Sequence, residues 1–497
     1  MRYDEYAAHD ATALAALVAR GEVTAADLLE TALARLDAVG GVLNPIAVPM
    51  VEIARARAAG PLAGPFAGVP FLLKDWGQDY AGVGDTGGSR ARRGIVAARH
   101  STYTQRCLDA GLVIFGRTTT PELALLATTE TALHGPTRNP WSPGRTPGGS
   151  SGGAAAAVAG GIVPMAGASD GGGSIRIPAS YCGLFGFRPG RGLIPHGPQA
   201  AEGWEGASSE FVLTRSVRDA AAMLDILAGP DAGAPYPLAR PAVSGMVAIA
   251  RPPARLRIGM MTESPIGSPV DAEAAAAVTI AAGLLERLGH HVEPAAPAID
   301  GRLLARCFLD LYLGQVPADI ARARAQTGAG MGAFELTTRG LGRLGRALPA
   351  GDYVASRRLW NEFGRALAAF FEGYDLLLLP TVAAPPPRIG ALDPPFGQRL
   401  ALHALAIPGF AAMVRRTGLL ETLSRENLTL VPFTQLSNMT GTPSMSVPLH
   451  WGAPAPGEAA VPFGAQFVGP IGGEPLLLAL AAELESAAPW FDRRPPG

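Results

Sequence analysis

Lysine is all but missing from this sequence. Of its 41 lysine and arginine residues only one, Lys74, is a lysine. Wherever the chain needs a positive charge it uses arginine, whose guanidinium does not give up its proton; a buried lysine, by contrast, can have its proton affinity pulled down until it acts as a base. Lys74 stands in "GVPFLLKDWG", among apolar residues. The pattern predicts a position that needs an amine able to be neutral.

Other scarcities exclude whole classes of function. There are three cysteines, Cys107, Cys182 and Cys307, far apart in the chain, which excludes a disulfide framework and a cysteine-based zinc site. Charged residues make up 17%, and the net charge is −1, so no basic face is available for nucleic acid. No stretch is long and apolar enough to predict a membrane span: 154–168 is short and rich in Gly and Ala, and "ALHALAIPGFAAMVRR" (401–416) is interrupted by Pro408. The latter predicts a helix at a substrate mouth or at a homodimer contact. The opening "MRYDEYAAHD" has acidic residues and no apolar core, which predicts a cytoplasmic protein.

What is present is an apolar, turn-rich chain, 48% hydrophobic with 63 glycines and 45 prolines. Helical and buried-strand patterns alternate along it, which predicts an α/β fold. "TAADLLETALARLDAVGG" predicts a helix capped by Thr24 and ending at Gly40; "PFLLKD" and "YDLLLLPTV" predict buried strands. Residues 228–257 predict a long surface connection and 325–350 an irregular flap.

The densest cluster of small residues is "RTPGGSSGGAAAAVAGG", 145–161. A phosphate loop would need a lysine directly before its hydroxyl residue, and none is near; a dinucleotide loop would need a preceding strand. A second loop, "GASDGGGSIRIPASYCG", places Ser174 after Gly171, Gly172 and Gly173. Glycines let several N–H groups turn toward one point, as an oxyanion site requires. A single loop of this kind also fits an ordinary capped turn.

Lys74, "GGSSGG" and "DGGGS" together resemble the amidase signature family, and the resemblance extends through "GPFAGVPFLLKD", "GRTTTPELAL", "GPTRNPW", "RIPASYCGLFGFRPGRG" and "PFTQLSNMTGTPSMSVP". Within it, the terminal "PWFDRRPPG" is similar to the group of 6-aminohexanoate cyclic dimer hydrolases. The resemblance implies a single α/β/α domain, 1–497, with a large mixed central sheet flanked by helices and a catalytic core region over 60–215. It implies an amidase acting on small-molecule amides, and also on esters, carbamates or amide oligomers, with no cofactor and no metal. By this resemblance Lys74 is the base, Ser150 the bridging serine after a cis peptide and Ser174 the nucleophile. Gly171, Gly172, Gly173 and Ser174 supply oxyanion N–H groups; Ser151, Asp170 and Arg176 brace the loop; Ala124, Leu125 and Gly149 contact substrate.

Two positions depart from the family pattern. Gly171 stands where Thr, Ile or Ala is usual, which predicts an oxyanion loop that relies on its neighbours for support. Ala124 and Leu125 are apolar, which predicts recognition by shape. The family also contains glutaminase subunits of tRNA-dependent amidotransferases, and an inactive binding protein on the same scaffold is a further alternative. Cys182 is expected to be a buried packing residue, and His290, His291 and the Arg92–Gly94 cluster to face solvent.

Overall fold

The computed structural model describes residues 1–234, 238–417, 428–455 and 457–496. Its strands are β1 (Ile46–Pro49), β2 (Pro70–Lys74), β3 (Val113–Thr118), the short pair β4 (Glu130–Thr131) and β5 (Gly135–Pro136), β6 (Met165–Asp170), β7 (Phe185–Arg188), β8 (Ser209–Thr214), β9 (Arg257–Met260), β10 (His291–Pro294), β11 (Leu376–Pro380), β12 (Ser444–Gly452) and β13 (Val461–Val468). Eight of them form one mixed sheet in the order β10-β9-β11-β13-β12-β7-β8-β6. Its β10, β9 and β11 run parallel and the remaining pairings are antiparallel. The α/β class and the large mixed sheet flanked by helices are thus as expected.

The middle of the sheet is buried because its strands are largely apolar on both faces, whereas the edge strand β10 is partly exposed. Leu376–Pro380 and Val461–Val468 are buried throughout, the signature of strands covered by helices on either side. One hydrophobic cluster draws residues from Tyr6 to Trp490.

The strand that carries Lys74 lies outside this sheet. It belongs to a separate three-stranded sheet, β1-β3-β2, in which β2 runs parallel to β3. Edge strand β2 packs against β6, the edge strand of the large sheet. The helix Gly152–Ala159, buried along its length, packs on both. Its Gly/Ala composition makes this possible: a Cβ on Gly153 would fall 2.4 Å from the Thr119 backbone N.

Three expectations are corrected. Residues 336–346 form a helix, which takes up the middle of the expected flap. Its glycines are contact points: a Cβ on Gly345 would fall 2.1 Å from the Leu313 carbonyl oxygen, and one on Gly342 would fall 2.5 Å from Ile320. The Thr24-capped helix runs on through Gly40 and Gly41 to Leu43. His290 is buried and paired with Glu483 at 2.9 Å, and Arg92 is buried and paired with Asp85 at 2.7 Å, whereas His291, Arg93 and Gly94 are exposed. The segment 401–416 is split as expected, into helices Phe396–Ala404 and Phe410–Arg416 on either side of Pro408; the residues that follow, 418–427, lie outside the described residues.

Candidate active site

Lys74 is the last residue of β2, and the strand's full burial places its amine out of water's reach. Its Nζ lies 2.8 Å from the Oγ of Ser150, 3.0 Å from the Oγ of Ser151 and 2.9 Å from the Oγ of Ser169, the residue before the last of β6. The amine is therefore ringed by three hydroxyls. Burial lowers its pKa to about 7, against the opposing pull of the Glu210 and Asp170 carboxylates. Burial, which together with the apolar sequence around Lys74 is expected to favour a neutral amine, is the dominant cause.

Ser150 and Ser151 sit in the turn that enters the helix Gly152–Ala159. The Gly149–Ser150 peptide is cis. Gly149 has no room for a side chain, since a Cβ would fall 2.5 Å from the Thr128 carbonyl oxygen and 2.6 Å from that of Leu126. Ser151 is saturated: its oxygen takes the Ser169 N–H at 3.3 Å and its hydroxyl donates to the Ser169 carbonyl at 3.2 Å. Its backbone N–H donates to the Ser174 carbonyl at 3.3 Å, which ties the two glycine-rich loops together.

The loop 171–175 is wound around Asp170. One carboxylate oxygen accepts the Gly173 N–H at 2.7 Å and the other the Ile175 N–H at 3.2 Å. Arg176 reaches the same carboxylate through Nε and Nη2, both at 2.9 Å, with both side chains fully buried. Burial alone would raise the Asp170 pKa; the Arg176 and Arg188 guanidiniums and the Asn438 amide together outweigh it and hold the group well below the usual carboxylate range. Arg176 also donates to the Thr434 carbonyl, to Gln466 and to Asn438, each at 2.8 Å. Thr434 and Gln435 donate to the Gly172 carbonyl at 2.7 and 3.1 Å. These late-chain residues lie in or beside the "PFTQLSNMTG" stretch, and they supply the support that the loop with Gly171 was expected to need.

Ser174 lies within this loop and is partly exposed. The glycines beside it face rings. A Cβ on Gly172 would fall 2.4 Å from Phe308 Cζ, and one on Gly171 3.6 Å from Trp204. Tyr312 meets both rings edge-on, with centroids 4.7 Å from Trp204 and 5.1 Å from Phe308, and its hydroxyl donates to the Leu125 carbonyl at 3.1 Å. Leu125 thus reaches this wall through Tyr312. Leu123, Ala124, Trp204 and Glu205 adopt positive φ without being glycine, a conformation that costs about 1–3 kcal/mol per residue and clusters at functional sites.

Of the residues singled out from the sequence, Lys74, Ser150 and Ser151 meet in one cluster, and Asp170 and Arg176 pair in an adjoining one. Sequence reasoning missed Ser169, Phe308, Trp204, Tyr312 and Asn438; Ser169 was the most accessible of these, adjacent to Asp170 in "GASDGGGS". Cys182 is buried as expected, with its thiol pushed up by burial. Among the described residues no group of three or more His, Cys, Asp or Glu side chains is placed to hold a metal ion, and no helix is long and apolar enough to cross a membrane.

The family description "Amidase" matches residues 27–478. The chain belongs to the amidase signature family. Among curated relatives, the 6-aminohexanoate-cyclic-dimer hydrolase of Pseudomonas sp. (strain NK87) is 38% identical, over 98% of this chain and 96% of that protein. A solved structure of 6-aminohexanoate cyclic dimer hydrolase complexed with substrate superposes with a TM-score of 0.87 at 34% identity, covering 98% of each chain. A bacterial aryl acylamidase superposes with a TM-score of 0.82 at 26% identity, covering 97% of this chain and 98% of that one. This amidase is a hydrolase of carbon–nitrogen amide bonds.

Proposed function

We propose that this amidase cleaves its substrate through an acyl-enzyme on Ser174, with Ser150 as proton relay and Lys74 as base. The observation that carries the reading is the fully buried Lys74 amine 2.8 Å from Ser150. Ser151 already donates its hydroxyl proton to the Ser169 carbonyl, so the amine must donate to Ser151 Oγ. A second N–H is directed to Ser169 Oγ, and the lone pair of the neutral amine then faces the Ser150 hydroxyl.

The steps balance as follows. Ser174 Oγ bonds to the amide carbonyl carbon while its proton passes to Ser150, whose own proton passes to Lys74. Because the Gly173 N–H is engaged by Asp170, the N–H groups of Gly171, Gly172 and Ser174 take the oxyanion. One such donor contributes about 3 kcal/mol. Return of the proton through Ser150 to the amide nitrogen breaks the C–N bond and releases the amine. Water then attacks the ester by the same relay, releasing the acid and restoring Ser174.

The aromatic wall of Phe308, Tyr312 and Trp204, with Leu125 behind it, supports an apolar acyl pocket that recognises shape. Small amides are the proposed substrates, with linear or cyclic amide oligomers first among them because of the 38% relationship to a cyclic-dimer hydrolase. Esters and carbamates are proposed as secondary substrates, the cytoplasm as the site of action and a homodimer as the assembly. Labelling by a fluorophosphonate probe, located by mass spectrometry, tests the core of the reading: modification of Ser174, lost in Ser174→Ala together with amine release from an amide panel, is the expected result. Labelling elsewhere, or undiminished amine release by Ser174→Ala, refutes it.

A further inference from the structure

Glu210 has no part in the scheme above, yet its buried carboxyl lies beside the amine that drives it. Glu210 on β8 is the direct antiparallel partner of Ser169 on β6, so the two side chains share a face of the sheet, and the Ser169 hydroxyl touches Lys74. Gln78 connects the same two residues by another route. Its Oε1 accepts the backbone N–H of Lys74 at 2.8 Å, while its Nε2 donates to Glu210 Oε2 at 2.8 Å and to the Ala168 carbonyl at 3.1 Å. Gln78 is fully buried and closely fitted: a Cβ on Gly167 would fall 2.2 Å from its Oε1. A buried carboxyl tied in this way to the strand end that carries a buried amine biases the charge that the amine carries.

We propose that Glu210 is a positioning residue for amide hydrolysis: through Gln78 it fixes the end of β2, and its carboxylate sets the pH at which Lys74 becomes a base. This rests on the reading of Lys74 as the base. The other groups facing the pair are accounted for. Asp170, on β6, is committed to Arg176. Asp79, just beyond β2, and Tyr103, whose hydroxyl donates to the Phe211 carbonyl, both face Glu210. His196 Nδ1 lies 3.8 Å from Glu210 Oε1. The direction of coupling agrees: the Glu210 anion favours the charged amine, and burial favours neutrality in both groups.

The single lysine makes the test direct. Protein grown with lysine labelled with carbon-13 at Cε gives one side-chain resonance, that of Lys74, whose shift reports its protonation. In Glu210→Gln, which keeps an acceptor for Gln78 but loses the charge, the Lys74 midpoint is expected to fall by about half a pH unit or more. The shorter but charged Glu210→Asp is expected to stay nearer wild type. A purely structural role predicts the reverse order. A smaller shift in Glu210→Gln overturns the proposal. Should that variant not fold, the wild-type curve decides: coupling to a neighbouring titrating carboxyl stretches it into two steps, and a simple one-proton curve overturns the proposal. The acid limb of kcat/KM is followed in parallel. A resonance that moves while the acid limb stays put leaves Glu210's hold on Lys74 intact and sinks Lys74 as the base.

Discussion

Lys74 Nζ and Ser150 Oγ stand 2.8 Å apart at the end of a fully buried strand, and neither residue is more than 2% exposed. An amine in that position is useful only when it can lose its proton. Lys74→Arg keeps the charge and removes the basicity, and Lys74→Met removes both. Each is expected to lower kcat by about 10²–10⁴-fold, the usual contribution of a general base. Steady-state kinetics on a chromogenic anilide, with circular dichroism to confirm folding, checks this; near-wild-type activity in Lys74→Arg contradicts the proton-relay scheme.

The pH profile follows from the same burial. The Lys74 pKa is lowered to about 7, and the protonated amine has no lone pair to accept the Ser150 proton. kcat/KM is therefore expected to rise with pH through about 7 and to fall about tenfold per unit well below it, since kcat/KM reports the free enzyme's essential groups. A profile flat from pH 5 to 9 is incompatible with this assignment.

Gly173 and Gly171 are expected to respond oppositely to a methyl group. Gly173 has φ +123, and a Cβ there would fall 2.4 Å from Thr434 Oγ1; around Gly171 the nearest atom would be 3.6 Å away. Gly173→Ala is expected to disturb the oxyanion loop and lower kcat by about 10²-fold or more. Gly171→Ala is expected to keep activity close to wild type and to stabilise the fold by about 0.4–1 kcal/mol through the unfolded chain. Thermal melting and kinetics on the two variants distinguish them.

Asp170→Asn leaves the Arg176 guanidinium buried without its anion. Breaking a buried pair in this way costs about 3–5 kcal/mol. A lower urea midpoint with an unchanged m-value is the expected outcome, and a midpoint equal to wild type would show that Asn438 and Gln466 alone satisfy Arg176.

How far the sequence reached depends on what each residue announces. A lone lysine among arginines, and the "GGSSGG" loop, are local signals, and they pointed to the amine and to the Ser150 and Ser151 hydroxyls that meet it. The Thr24 cap and the apolar runs of β2 and β11 were equally local. What stayed hidden is long-range. Nothing in "SSEFVLT" tells that Glu210 pairs with Ser169, because register is a property of the folded sheet. Phe308 and Tyr312 lie on a helix, Gly301–Thr327, whose approach to Gly172 is set by tertiary packing. The helix 336–346 was masked by its own glycines, which lower helix propensity yet are what lets Leu313 and Ile320 come so close. His290 gave no sign of burial because its partner, Glu483, is nearly two hundred residues away.

The amine and the Ser169 hydroxyl beside it come from different sheets: Lys74 ends β2 of the small one, Ser169 lies one residue from the end of β6 of the large one, and side-by-side packing of the two edges unites them. Catalytic competence is then a measure of that seam rather than of either half. Mild denaturant that slips one sheet past the other by an ångström would silence the enzyme while its helices and strands still register in full, so loss of turnover is expected to precede loss of ellipticity.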